Sequence, residues 1–231
     1  MPLSEIKYLL KDAGETLVFI ENSYQAALKA DDVSIALKLK IKHFLEDVKS
    51  SLDYIAYYIF IEYCADNITS KLDDHIRNLY FPNKEIENKF NNYITSMYPG
   101  LNANHPEIVH IFRSVQSFNE IQWFINLNKL VNKNKHRELE KQQRNKTTHI
   151  HYGKIGGITL SNVKFVNCET PISYGGTAID FESPSPYNSN FLANTTIEFI
   201  FKDLNLSVIP TLKDIYTGAN KVINDLETII F

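Results

Sequence analysis

The spacing of hydrophobic positions changes about two thirds of the way along the chain. Up to about residue 141 apolar residues recur every three or four positions, the period of one helical face; beyond that they alternate, the period of a strand. Over residues 4–29, Leu9, Leu10, Leu17, Ile20, Tyr24, Ala27 and Leu28 predict a first helix, with Gly14 as a soft point inside it. Over residues 32–66, Ile41, Phe44, Leu45, Val48, Leu52, Ile55, Ala56, Ile59 and Tyr63 predict a long amphipathic helix. Its polar face carries Lys42, His43, Glu46, Asp47, Lys49, Ser50 and Asp53, where Lys42 with Glu46 and Lys49 with Asp53 can pair one turn apart.

Between residues 67 and 104 the pattern breaks into short pieces around the turn signals Phe81-Pro82-Asn83 and Pro99-Gly100, with room for a short helix over 85–97. Pro106 suits a first helical position, and Ser117 followed by Glu120 reads as a capping box that restarts the helix. Two helices are therefore expected, over 105–116 and 119–141. Ile121, Phe124, Ile125, Leu127 and Leu130 of the second face a core, and from Asn132 onward it turns almost wholly polar. Strands are expected over 148–152, 158–168, 177–181 and 195–201, and a last amphipathic helix behind Pro210. The fold class is α+β: an N-terminal bundle of long amphipathic helices, an antiparallel sheet of about four strands, and a C-terminal helix packing back on the bundle. Residues 1–231 are read as a single domain, mainly helical over 1–143, mainly strand over 144–205, and helical again over 208–231.

Composition narrows the class of partner. The chain has 231 residues, 44% of them hydrophobic, enough to bury a core without covalent staples. A net charge of −3 opposes a role in coating nucleic acid, which needs a basic surplus, but leaves room for a local basic patch. Cys64 and Cys168 lie far apart in apolar surroundings and form neither a disulfide framework nor a metal spacing, so a reducing, cytoplasmic location is expected. No stretch reads as an export signal or a bilayer span, and no membrane partner is expected.

Polar chemistry concentrates at residues 133–151. Lys133, Lys135, His136, Arg137 and Glu138 lead through Arg144 and Asn145 to His149 and His151, so two of the four arginines and three of the seven histidines fall close together. Fixed cations beside imidazoles that titrate near neutrality suit the binding and cleavage of a phosphodiester; the competing reading is a solvated helix end. The run Arg144-Asn145-Lys146-Thr147-Thr148-His149, with His151 as the six-residue alternative, resembles the Rx4-6H motif of the HEPN superfamily of helical ribonucleases and toxins. That resemblance implies that Arg144 and Asn145 hold the scissile phosphate and its 2′-hydroxyl nucleophile while His149 or His151 transfers protons. It also implies RNA as the partner, no metal or other cofactor, and a composite site across a homodimer.

A second resemblance covers more of the chain. Ser51-Leu52-Asp53-Tyr54-Ile55-Ala56-Tyr57, Phe81-Pro82 and Asn134-Lys135-His136-Arg137-Glu138-Leu139 look like an uncharacterised bacterial family in which a Leu-Asp-x-x-Ala helix, a Phe-Pro turn and an Asp- or Asn-Lys-His-Arg helix end recur in this order. It implies that Asp53 meets Lys135, His136 and Arg137 as a binding cluster. Physically, the carboxylate could orient His136 or pair with Arg137, or the group could be a structural ion pair tying two helices. His149 and His151 share one face of a strand, yet no acidic or cysteine ligand completes a metal pattern with His136, so no metal is expected. Gly153 to Gly157 reads as a turn rather than a phosphate loop, and Tyr54, Tyr57, Tyr58 and Tyr63 as packing rather than a platform for bases. No Gly-x-Ser-x-Gly elbow or cysteine–histidine neighbour marks a hydrolase.

Two functions follow. One is a metal-independent HEPN-like endoribonuclease or toxin, with a place in bacterial defence. The alternative is a non-enzymatic interaction or scaffold protein whose partner protein is unidentified, the same cluster serving as a recognition patch.

Overall fold

The computed structural model describes residues 3–30, 33–68, 71–136, 139, 141–155, 157–168, 172–179, 181 and 191–230, the side chains of residues 29, 30, 135 and 136 excepted. The chain divides into two compact units: Met1–Tyr24, Ser34–Glu140 and Ile209–Phe231 form the first, and Gln25–Val33 with Lys141–Val208 the second. Lys141–Val208 nearly coincides with the stretch expected to be strand-rich at 144–205.

The first unit is helical. α1 (Leu3–Ala30) and α2 (Ile35–Tyr63) are the two long helices that the apolar spacing predicts. Ser34 caps α2, its Oγ accepting from the Leu37 amide at 3.2 Å, which starts the helix a little later than residue 32. The stripe from Ile41 to Ile59 is buried, and on the polar face Lys42–Glu46 and Lys49–Asp53 form the expected pairs at 3.6 and 2.5 Å. α3 (Leu72–Arg77), α4 (Glu87–Met97), α5 (Leu101–Asn104) and α6 (Pro106–Ser114) make up the next stretch. Of these, α4 and α6 were legible in advance, the latter with Pro106 at its first turn. α3 and α5 are too short to show a period.

The link from α6 to α7 (Gln122–His136) corrects the capping-box expectation. Ser117–Asn119 form a 3-10 turn and Glu120 adopts φ 58°, a left-handed backbone incompatible with a third helical position, so α7 begins beyond it. The turn is closed instead by the Asn119 side-chain amide donating to the Arg113 carbonyl at 2.7 Å. The described part of α7 reaches His136, and Leu139 and Lys141 lie outside any helix, so the helix stops short of residue 141.

α8 (Val208–Ile230) packs back on the helices, as expected. Lys7 pairs with Glu227 at 3.0 Å and Glu21 with Lys213 at 2.6 Å, which runs α8 antiparallel to α1. Midway, the Tyr216 ring covers Gly14 and lies 6.5 Å from the Phe44 ring, and the Trp123 indole of α7 covers Gly218. The soft point at Gly14 is thus a close contact that leaves no room for a methyl group. Among the described residues no helix is long and apolar enough to cross a membrane.

The second unit is built on an antiparallel sheet in the order β2-β1-β5-β6: β1 (Gln142–Ile155), β2 (Ile158–Val166), β5 (Phe191–Phe201) and β6 (Leu206–Ser207). Four strands were expected, but the fourth is β6 and not residues 177–181. Thr177 and Ala178 lie instead in a separate hairpin of β3 (Ser173–Tyr174) and β4 (Thr177–Ala178), turned by Gly175 and Gly176 at φ 59° and 81°. Two consecutive left-handed residues are what a tight hairpin turn requires, and glycine supplies them without strain. β1 starts six residues before the alternation announces it, because its ladder with β5 runs back to the Gln142–Phe201 pair through polar residues. Ile150, Phe199 and Phe201 are buried on its apolar side.

Candidate functional site

The regular register of β1 with β5 from Gln142 to Ile150 sorts the Arg144–His149 motif by parity. Successive side chains on a strand point to opposite faces. Asn145, Thr147 and His149 therefore share one face, and Arg144 projects from the other, with buried Thr148 and Ile150. Asn145 stands four residues from His149, about 13 Å along the strand. The structure thus brings His149 and His151 together and separates Arg144 from them. A motif that juxtaposes arginine and histidine on a helix cannot do so on a strand, because an odd spacing crosses the sheet.

The two imidazoles form a built cluster. Their ring centroids are 4.0 Å apart at an interplanar angle of 52°. His149 Nε2 lies 2.9 Å from Asn162 Oδ1 on β2, and His151 Nε2 lies 2.7 Å from Asn194 Oδ1 on β5. A carboxamide oxygen can only accept, so each Nε2 carries the proton in the neutral ring and each Nδ1 keeps its lone pair. Lys164 is the direct cross-strand neighbour of His149 on β2, and Asn194 its neighbour on β5.

The backbone is irregular where the pair sits. The β1–β5 register shifts between Ile150 and Tyr152, placing His151 at a bulge. On the other side the ladder passes from Ile150–Val163 to Tyr152–Ser161, and Asn162 between them adopts φ 53°. Bulges re-aim side chains, and a left-handed asparagine is tolerated at modest cost where its side chain is engaged.

Asn162, Lys164 and Asn194 were not singled out in the sequence. Two of them were within reach. Only residues 156 and 157 separate the closing pair Ile155–Ile158, and extending a two-residue Gly-Gly hairpin backwards sets Lys164 opposite His149 and Asn162 opposite His151. Asn194 comes from a strand far along the chain, and local spacing holds no signal for it.

In the first unit, Asp53 is engaged locally. Its Oδ1 receives the Lys49 ammonium and, at 3.0 Å, the backbone amide of Phe81. The Leu-Asp-x-x-Ala helix and the Phe-Pro turn therefore meet through one hydrogen bond. The same turn is held by the buried Gln116, whose Nε2 donates to the Pro82 and Phe112 carbonyls at 2.9 and 2.7 Å and whose Oε1 accepts from the Lys84 amide at 2.9 Å. The hydroxyls of Tyr93 and Tyr98 donate to the Tyr80 carbonyl. Burial pushes the Tyr98 phenol well above its ordinary range, so it stays a neutral donor. Of the expected partners, Arg137 and the side chains of Lys135 and His136 lie outside the described residues, and the backbone of Lys135 and His136 belongs to α7.

Other chemistry is thin. Cys64 is buried and its thiol is pushed up to about 12 by desolvation, which removes it as a nucleophile. Among the described residues no three His, Cys, Asp or Glu side chains are grouped to hold a metal ion. Comparison of the chain with protein-family models, with curated proteins and with solved structures finds no match in any of the three.

Proposed function

We propose that the His149–His151 face of the sheet binds and cleaves RNA without a metal. The observation that carries this reading is the paired imidazoles, each fixed by an asparagine carboxamide and each presenting Nδ1. One neutral ring takes the proton of a ribose 2′-hydroxyl; that oxygen attacks the adjacent phosphorus; the other ring, protonated, gives its proton to the departing 5′-oxygen. The products are a 2′,3′-cyclic phosphate and a free 5′-hydroxyl. Lys164 lies beside His149 to neutralise the phosphate. Both rings belong to one strand, so the pair can act within one chain, while a composite site across a homodimer would add a second phosphate contact. Growth inhibition as a bacterial defence toxin is the biological role this chemistry would serve.

The test is cleavage of a labelled single-stranded RNA in excess chelator, with its all-deoxy counterpart as control. Wild-type protein should leave a cyclic phosphate on RNA and spare the deoxy strand. His149→Ala and His151→Ala should each lower the rate about 10²- to 10⁴-fold. Arg144→Ala should change it far less, since Arg144 leaves the opposite face of β1. An unchanged rate in the double histidine variant overturns the proposal, and binding without cleavage would favour the recognition-patch alternative.

A further inference from the structure

We infer a second, separate ligand site in the helical unit: a pocket for a small sugar phosphate between α7 and the segment that follows the Phe-Pro turn. A cavity of about 380 Å³ opens there. Ile125, Asn128, Lys129 and Asn132 line it from one face of α7, a spacing of three and four that aims all of them the same way. Lys84, Lys89 and Ser117 face them from the segment after Pro82 and from the α6–α7 link.

The charge is one-sided. Three lysines border the cavity against one carboxylate, Glu85. Lys84 is engaged, its ammonium 4.2 Å from the centroid of the Tyr93 ring. Among the described residues Lys89 and Lys129 have no ion-pair partner, whereas Glu87 of α4 pairs with Arg113. Two free ammonium groups facing one cavity fit an anion, and a phosphomonoester offers the oxygens to meet both.

The remaining lining indicates the body of the ligand. Asparagine carboxamides and the Ser117 hydroxyl supply donors and acceptors together, which is what sugar hydroxyls need. Ile125 is the one apolar residue in the lining and no aromatic ring is present to stack a base, which disfavours a nucleotide. The volume lies near the small end of the range for ligand pockets, roughly 300–1,000 Å³.

The pocket is also rigid. One wall begins at Lys84, whose amide is held by the buried Gln116 carboxamide, and the turn before it is held by Asp53. Asn128 is itself buried and anchored to the Phe124 carbonyl at 2.7 Å. Pre-set donors lower the ordering cost of binding. This gives the polar scaffolding around Phe81-Pro82 a purpose beyond stability, since it fixes the wall of a site.

Isothermal titration with ribose 5-phosphate, ribose and inorganic phosphate tests the inference on the full chain. Saturable binding of ribose 5-phosphate is expected, with ribose and inorganic phosphate each at least about tenfold weaker, the factor set by one lost charged hydrogen bond. Lys89→Gln and Lys129→Gln are exposed changes that leave the fold intact, as melting curves will verify, and each should weaken ribose 5-phosphate about tenfold. No binding of ribose 5-phosphate, binding no tighter than that of inorganic phosphate, or equal binding in both lysine variants would overturn it. The His149→Ala, His151→Ala protein should bind as wild type, so failure here and failure of the nuclease reading are separate results.

Discussion

Replacing Gln116 with methionine tests whether a single buried carboxamide holds the Phe-Pro turn. The side chain is fully buried, and its three hydrogen bonds reach Lys84, Pro82 and Phe112 at 2.7 to 2.9 Å. Methionine keeps the length and most of the volume, so the change removes hydrogen bonds with little cavity. The Pro82 carbonyl and the Lys84 amide then lose their partner, and each buried group left so costs about 1–3 kcal/mol. Lys84 is half-buried and water can reach part of it, which places the total near 3 kcal/mol rather than 6. For a chain of this size that corresponds to a fall in Tm of roughly 6–12 °C. Urea unfolding followed by the fluorescence of Trp123, the one tryptophan, reads it directly. A loss below about 1 kcal/mol would refute the argument. Gln116→Glu sharpens the test through pH. An ionised carboxylate still accepts from Lys84 but faces two carbonyls, so folding favours the protonated acid and raises its pKa above the unfolded value of about 4.3. The stability that protonation lends is present below that value and is lost as pH rises through the folded pKa. The deficit against wild type should therefore be larger at pH 7 than at pH 4.

Two further predictions concern packing and the role of Asp53. Asp53→Ala should cost about 2 kcal/mol, because a charged acceptor to the Phe81 amide and a half-buried pair with Lys49 vanish together. Asp53→Asn, which keeps the acceptor, should cost about half as much; thermal melts with no loss in either variant would return Asp53 to the list of functional candidates. At Gly218, alanine would gain up to about 1 kcal/mol of helix propensity, but its methyl meets the Trp123 ring and overpacking of this kind costs about 1–3 kcal/mol. Gly218→Ala should destabilise the wild type and stabilise a Trp123→Leu background, and the same sign in both would show that the close approach is not what selects glycine there.

The long helices could be read from the chain because their signal is local. In α2 every third or fourth residue from Ile41 to Ile59 is apolar, and burial of one stripe is all that an amphipathic helix needs to declare itself. The same holds for α1, α7 and α8, and for the ion pairs one turn apart on α2. Strand type was legible where residues alternate, but strand extent was not: β1 continues through polar Gln142 to Lys146 only because β5 lies beside it. Pairing partners far along the chain carry no local mark, and so the alternation at 177–181 does not reveal that Leu206–Ser207 is the strand beside β5. The candidate chemistry divides in the same way. Sequence alone placed His149 and His151 on one face, since a period of two requires it. It also set Arg144 in the same motif, where spacing by number hides that an odd step crosses the sheet. Asn194 opposite His149, the Asp53 bond to the Phe81 amide and the grip of Gln116 on Pro82 arise from residues brought together by tertiary packing, and only the folded chain decides them.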